Sequence, residues 1–220
     1  MFSVTSGFAS KKRQQTYPTV YGQSINILDS RFYGRIMPTG VVGKPLLGWS
    51  VLKYQWSVED LMVVCGQLPS GNWTWHDVDM VLIPYNIGRQ HWLLANVDLS
   101  VGKIYLLNPF RQEVSTHIRS ELITSLRWFL PSMLHRVQFH AKRRSVDTTY
   151  AMQDNPFRMS VVSTSRVPQQ TRGGNCGAHT LRLAEYLLAN RTEFDWMEDD
   201  MGAIREKMVV EVRTPRATMS

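Results

Sequence analysis

"HWLLANVDLSVGKIYLLNPF", residues 91–110, decides the fold. Two apolar runs flank Asp98-Leu-Ser-Val-Gly102, and Gly102 offers the permissive backbone that a turn needs. Apolar runs joined by a short glycine-containing connection read as an antiparallel hairpin. A turn centred near Leu99-Ser100 brings His91, at the start of the first strand, opposite Asn108 or Pro109 at the end of the second. Facing residues on paired strands hold their Cβ atoms roughly 4.5–5.5 Å apart, so an imidazole and an amide can meet there. On this reading Asn108 accepts the His91 Nδ1–H and fixes the tautomer of the ring. Asp98, the carboxylate of the hairpin, cannot do so, because it lies more than about 20 Å along the strand at about 3.3 Å per residue. Taken alone, Asn108-Pro109 is most simply a turn.

Outward from the hairpin, strands and helices are mixed. "DVDMVLIPYN" (77–86) reads as a buried strand and "FRMSVVST" (157–164) as another. "WSVEDLMVVCG" (56–66) predicts a helix with Ser57 and Asp60 in a capping-box pattern, Leu61, Met62 and Cys65 inward, and Gly66 at its end. "STHIRSELITSLRWFLP" (115–131) places Ile118, Leu122, Leu126 and Phe129 on one helical face and stops at Pro131. "CGAHTLRLAEYLL" (176–188) aligns Ala178, Leu181, Ala184, Leu187 and Leu188. In residues 192–212, Thr192 is the expected cap of a last helix with Met197, Met201, Ile204 and Met208 inward. The class this implies is α+β, with a central, mostly antiparallel sheet packed by helices. Residues 1–48, rich in Ser, Thr, Gly and Pro, read as an irregular N-terminal arm, 49–212 as the domain and 213–220 as a tail.

The bulk numbers agree with one domain. The chain has 220 residues, 43% hydrophobic and 20% charged, which suits a packed core and excludes wholesale disorder. Two cysteines, Cys65 and Cys176, make no disulfide framework, so a reducing compartment, nucleus or cytoplasm, is expected. The first residues lack the charged n-region of a signal peptide, and no stretch reaches the roughly 18 apolar residues of a membrane span. A net charge of +7 suits an acidic partner without naming one. Lys11-Lys12-Arg13 and Lys142-Arg143-Arg144 read first as solvated surface; no nucleic-acid motif accompanies them.

"RGGNCGAH", residues 172–179, carries the candidate chemistry. Cys176 stands at the start of a helix, where partial positive charge favours a thiolate. Gly173, Gly174 and Gly177 let the backbone turn tightly beside a substrate. Backbone N–H groups at such a turn can hold an oxyanion, and Gln170 adds an amide donor. A cysteine, a histidine, an amide to orient it and a glutamine are the parts for acyl transfer through a thioester. Each has a plainer reading: a small buried cysteine, a strand histidine, a solvated glutamine. Cys176-x-x-His179, with Cys65 and His76, is also half of an irregular zinc motif.

Together these stretches resemble the ubiquitin-like-protein-specific cysteine proteases, which include the SUMO (sentrin) proteases and have a relative in adenovirus proteinase. The likeness rests on "HW" at His91-Trp92, the orienting position at Asn108, "PQQTRGGNCG" at 168–177, "IPYN" at 83–86 and, more weakly, "WSVEDLM" from Trp56. It covers about residues 50 to 212 and leans toward the divergent domains of plant transposon-related genes. The resemblance implies a papain-like fold with the order His, orienting residue, Cys. It implies His91, Asn108, Gln170 and Cys176 as catalytic residues. Trp92, Trp56 and Gly174 would line a tunnel that admits only glycines. The partner implied is a ubiquitin-like (SUMO-type) protein or its conjugates, cut after a C-terminal Gly-Gly. A monomer is expected, with no metal, cofactor, membrane or nucleic-acid partner.

Two positions depart from the family pattern. Asn108-Pro109 stands where Asp-Ser is usual, and Asn175 precedes Cys176 where Asp is commoner. Asn108 orients His91 without giving the imidazolium a negative neighbour. The alternatives left open are a weak or inactive relative that binds a ubiquitin-like tail, a zinc protein and a basic nucleic-acid-binding module.

Overall fold

A three-stranded antiparallel meander forms the centre. In the computed structural model, which describes residues 25–28, 32, 56–67, 74–87, 91–110, 125–142, 157–161, 164–171 and 173–213, it consists of β2 (Met80–Ile87), β3 (His91–Asp98) and β4 (Lys103–Leu107). β2 meets β3 from Met80↔Asp98 to Ile87↔His91, and β3 meets β4 from Asp98↔Lys103 to Leu94↔Leu107. β1 (Ile25–Ile27) adds to β2 and β5 (Arg158–Val161) adds to β4, both parallel. The sheet order is therefore β1-β2-β3-β4-β5, antiparallel in the middle and parallel at both edges. The α+β class is the expected one, and the sheet is mixed.

The hairpin turn lies slightly beyond its expected centre. Leu99–Gly102 connect the strands, the Ser100 N–H donates to Asp98 Oδ1 (2.9 Å), and Gly102 takes a φ of 61°. The resulting register, continued past Leu107, sets Phe110 opposite His91 and Asn108 opposite Leu93. Asn108 thus reaches His91 diagonally along one face of the sheet, not directly across.

Both faces of the meander are covered, which explains why its strands read as nearly unbroken apolar runs. One face presents Val81, Ile83, Tyr85, Leu93, Ala95 and Val97. It meets α1 (Val58–Val64), α2 (Leu130–Arg136) and α3 (Phe139–Lys142) through Val63, Val64, Leu130, Met133, Leu134 and Phe139. The other presents Leu82, Leu94 and Leu107, with Ile25 and Ile27 alongside, to α4 (Cys176–Leu188). α5 (Met201–Arg213) closes the described chain and buries Met201 in that second core.

Several elements differ from the sequence expectation. The lead-in read as irregular contains β1, and Phe32 is also buried at 1% exposure. A three-residue strand is too short to display alternation. Pro131 does not stop a helix. Ser125–Phe129 form a wider π-type coil, and Pro131 falls in the first turn of α2, where a missing N–H is harmless. Leu126 and Phe129 are buried as expected; Ile118 and Leu122 lie outside the described residues. α1 is capped as read, with the Asp60 N–H donating to Ser57 Oγ (3.1 Å), but Val63 and Val64 are its inward residues while Cys65 is half-buried against the core. In α4, Thr180 and Leu183 are buried where Ala178 and Leu181 were expected, alongside Ala184, Leu187 and Leu188. The last helix starts at Met201, not after Thr192. Residues 191–197 run outside any helix, carrying Phe194 and Trp196 onto Tyr186 of α4, and Met197 is exposed.

Candidate functional site

His91 opens β3 and Cys176 opens α4, so both candidate groups lie at one end of the sheet. The two openings are joined by Trp92. A Cβ added to Gly177 would stand 3.5 Å from Trp92 Cδ1 and 3.8 Å from its Nε1, so the indole lies against the first turn of α4, next to the cysteine. From there α4 packs over β3, with Leu183, Ala184, Leu187 and Leu94 in one core cluster.

His91 is buried at 3% exposure and Asn108 at 9%. The His91 Nε2 and Asn108 Oδ1 are 2.7 Å apart. The Phe110 N–H also donates to Asn108 Oδ1 (3.0 Å), and its ring lies 5.9 Å from the imidazole. A backbone N–H can only donate, so the Asn108 atom it meets is the carbonyl oxygen, and the imidazole nitrogen facing that oxygen carries the proton. The His91 Nε2 therefore carries a proton and donates to Asn108. This corrects the expectation that Nδ1 faces Asn108. The diagonal register presents the far nitrogen of the ring to the amide.

The segment before Cys176 is tied to the same strand end. The Gln170 N–H donates to the Pro109 carbonyl (2.7 Å), and Gln169 Nε2 donates to the carbonyls of Asn108 (3.0 Å) and Val167 (2.9 Å). Gln170 is buried at 6% exposure, and its side-chain oxygen has no hydrogen-bond partner among the described residues. Gln169 was not singled out in the sequence; the Gln169-Gln170 doublet was its only signal. Gly174 takes a φ of +97° with no atom within 4 Å of an added Cβ, so its role is conformational and the space around it is open. Cys176 is 7% exposed at the head of a 13-residue helix.

Trp56 is placed elsewhere. Its Nε1 donates to Ser132 Oγ of α2 (3.4 Å) and its ring meets Phe129 edge-on at 5.5 Å, which packs it in the core on the sheet face away from α4. His179 is wholly buried, with Trp196 Nε1–H donating to its Nδ1 (3.1 Å) and its Nε2 2.8 Å from Glu198 Oε2. Both ring nitrogens are thus engaged by protein groups, which leaves none for the half zinc motif. No group of three or more His, Cys, Asp or Glu able to hold a metal ion occurs among the described residues. Trp196 and Glu198 were not anticipated, because they come from a helix entry read as continuous helix, and Arg205, within α5, meets Asn175 only through the fold.

The chain matches the model of the Ulp1 protease family, C-terminal catalytic domain, over residues 67–217. No protein with a curated description matches it. Among solved structures, it is similar to the SUMO protease Ulp1 with its catalytic cysteine oxidised to a sulfonic acid, at 16% identity and a TM-score of 0.55, over 94% of this chain and 75% of that one. The C-terminal Ulp1 protease domain in complex with Smt3, the yeast ortholog of SUMO, gives 15% identity and 0.54, over 94% and 74%. The Xanthomonas campestris effector XopD bound to ubiquitin gives 13% and 0.51, over 94% and 89%. At these identities the structures speak to fold. The family match covers more than half of the sequence: the chain belongs to the Ulp1 protease family and carries its catalytic domain, a cysteine-type peptidase domain.

Proposed function

We propose that this chain cleaves after the C-terminal Gly-Gly of a ubiquitin-like, SUMO-type protein, through a thioester on Cys176. The observation that carries the reading is the buried His91–Asn108–Phe110 arrangement, in which the orienting amide takes Nε2 of the imidazole. In this mechanism Nδ1 takes the Cys176 thiol proton, and the sulfur attacks the carbonyl of the terminal glycine. The oxyanion is held by the Cys176 backbone N–H and the Gln170 amide. His91 returns the proton to the departing amine as the C–N bond breaks. Water, deprotonated by His91, then attacks the thioester, releasing the modifier's carboxylate and regenerating the thiol. Trp92, held against Gly177, would cover the incoming chain and reject any residue with a Cβ, while the open backbone at Gly174 accommodates the glycines. Solved relatives in complex with Smt3 and with ubiquitin support the partner class.

The test is covalent capture. Vinyl-sulfone derivatives of SUMO-type modifiers and of ubiquitin are incubated with the folded protein. At least one should label the wild type and fail to label Cys176→Ala; no labelling by any of them would sink the reading. Asn108 favours one second reading, a relative that binds the tail without cutting it, because a neutral amide adds no charge to a forming imidazolium. Under that reading the wild type turns nothing over, and Asn108→Asp brings cleavage back.

A further inference from the structure

We propose that Glu198 is a positioning residue for the nucleophile turn: its carboxylate clamps Asn175, just before Cys176, to His179 on the next turn of α4. The inference rests on the reading of Cys176 as a nucleophile. Glu198 Oε1 accepts from Asn175 Nδ2 (2.7 Å), and Oε2 accepts from His179 Nε2 (2.8 Å). Arg205 Nη1 holds the other end of the Asn175 amide by donating to Oδ1 (3.0 Å). The His179 N–H donates to the Asn175 carbonyl (3.0 Å), so the first turn of α4 is tied twice to the residue that precedes the cysteine.

Donor and acceptor counting makes Glu198 hard to replace. Trp196 Nε1–H can only donate, so His179 Nδ1 accepts and Nε2 carries the proton. Asn175 Nδ2 is also a donor. Two donors therefore face the two oxygens of one side chain, which a carboxylate satisfies and a primary amide does not. Fixing Asn175 fixes the peptide that ends in the Cys176 N–H, the group assigned to the oxyanion. The clamp is built from residues 196–205, outside the nucleophile segment, so it acts on the site without touching substrate.

The counting also predicts a compensation. Glu198→Gln removes one acceptor and leaves either Asn175 Nδ2 or His179 Nε2 without one. Asn175→Asp alone sets two carboxylates at 2.7 Å. Combined, they exchange roles: the new amide donates to the new carboxylate and accepts from His179 Nε2–H, while Arg205 keeps an acceptor. The experiment is this double-mutant cycle in the full chain. It is read by kcat and KM on aminomethylcoumarin derivatives of SUMO-type modifiers and ubiquitin, and by amide hydrogen exchange over residues 171–180. Each single change should lower kcat by about tenfold with KM within about twofold, and speed exchange of the His179 amide, which donates to the Asn175 carbonyl, by about tenfold. The double change should return both to within about threefold of wild type. Unchanged kcat and exchange in Glu198→Gln, or a double variant no better than the worse single one, would overturn the clamp. If the wild type turns over neither substrate, the proposed function fails, and the exchange cycle still decides the clamp. If Glu198→Gln does not fold, the double variant and Arg205→Gln, which cuts only the outer bond, carry the test. Arg205→Gln should show a smaller change in the same direction; no change in it together with an unrescued double variant overturns the proposal.

Discussion

One oxygen atom of Asn108 accepts from both His91 Nε2–H and the Phe110 N–H, and so sets which imidazole nitrogen faces the amide. Asn108→Ala removes that acceptor, leaves a buried imidazole N–H and the Phe110 N–H without their partner, and should lower kcat by about 10²-fold with the protein still folded. Asn108→Asp keeps both acceptor roles and adds charge, so steady-state kinetics should place its rate at or above wild type. A lower rate in Asn108→Asp than in Asn108→Ala would contradict this account. Gly174 is a second residue-scale test. At φ +97° a Cβ is strained whatever the free space, so Gly174→Ala should lose about 1–2 kcal/mol in denaturant titration. The requirement for glycine was legible in the repeated Gly residues around Cys176; which one takes the left-handed backbone was not, since that depends on how the turn is pinned to Pro109 and Glu198.

At the scale of elements, burial on two sides separates costly substitutions from cheap ones. Leu94 is fully buried between β2, β4 and α4, whereas Val58 at the start of α1 is 74% exposed. Leu94→Ala should cost about 2–5 kcal/mol of unfolding free energy, and Val58→Ala should stay within about 0.5 kcal/mol. Equal losses would mean that the sheet face beneath α4 is not packed as described. Apolar patterning made the meander and the start of α4 legible, because strand and helix periods survive any arrangement of neighbours. It misplaced the inward faces of α1 and α4 by a fraction of a turn, because in a helix buried mostly on one side the tilt against the sheet selects the inward row. His179 shows why: a histidine does not count as core in a pattern of apolar residues, yet it is wholly buried once Glu198 and Trp196 satisfy both nitrogens.

Across the whole molecule, Glu198 links stability to pH. Partial burial pushes its carboxyl upward, and hydrogen bonds from His179 and Asn175 outweigh that, holding it below its ordinary value. A carboxyl that binds its proton less readily when folded stabilises the protein above its unfolded pKa of about 4.3 and loses that contribution as pH falls toward the folded pKa. Thermal melts of the wild type should therefore drop more steeply below about pH 4.3 than those of Glu198→Gln. Parallel acid profiles would remove Glu198 from the linkage. Among the described residues, the sequence by itself determined the α+β class, the hairpin between His91 and Asn108, the helix that begins at Cys176 and the residue types of a thiol site. These follow from local periodicity, turn chemistry and spacing along the chain. Only the tertiary structure decided which imidazole nitrogen meets Asn108, that Trp92 rather than Trp56 borders the cysteine helix, and that Glu198 ties Asn175 to His179. Such pairings join side chains 17 or more residues apart and hinge on a shift of one or two positions in register, for which a linear pattern of polar residues carries no period.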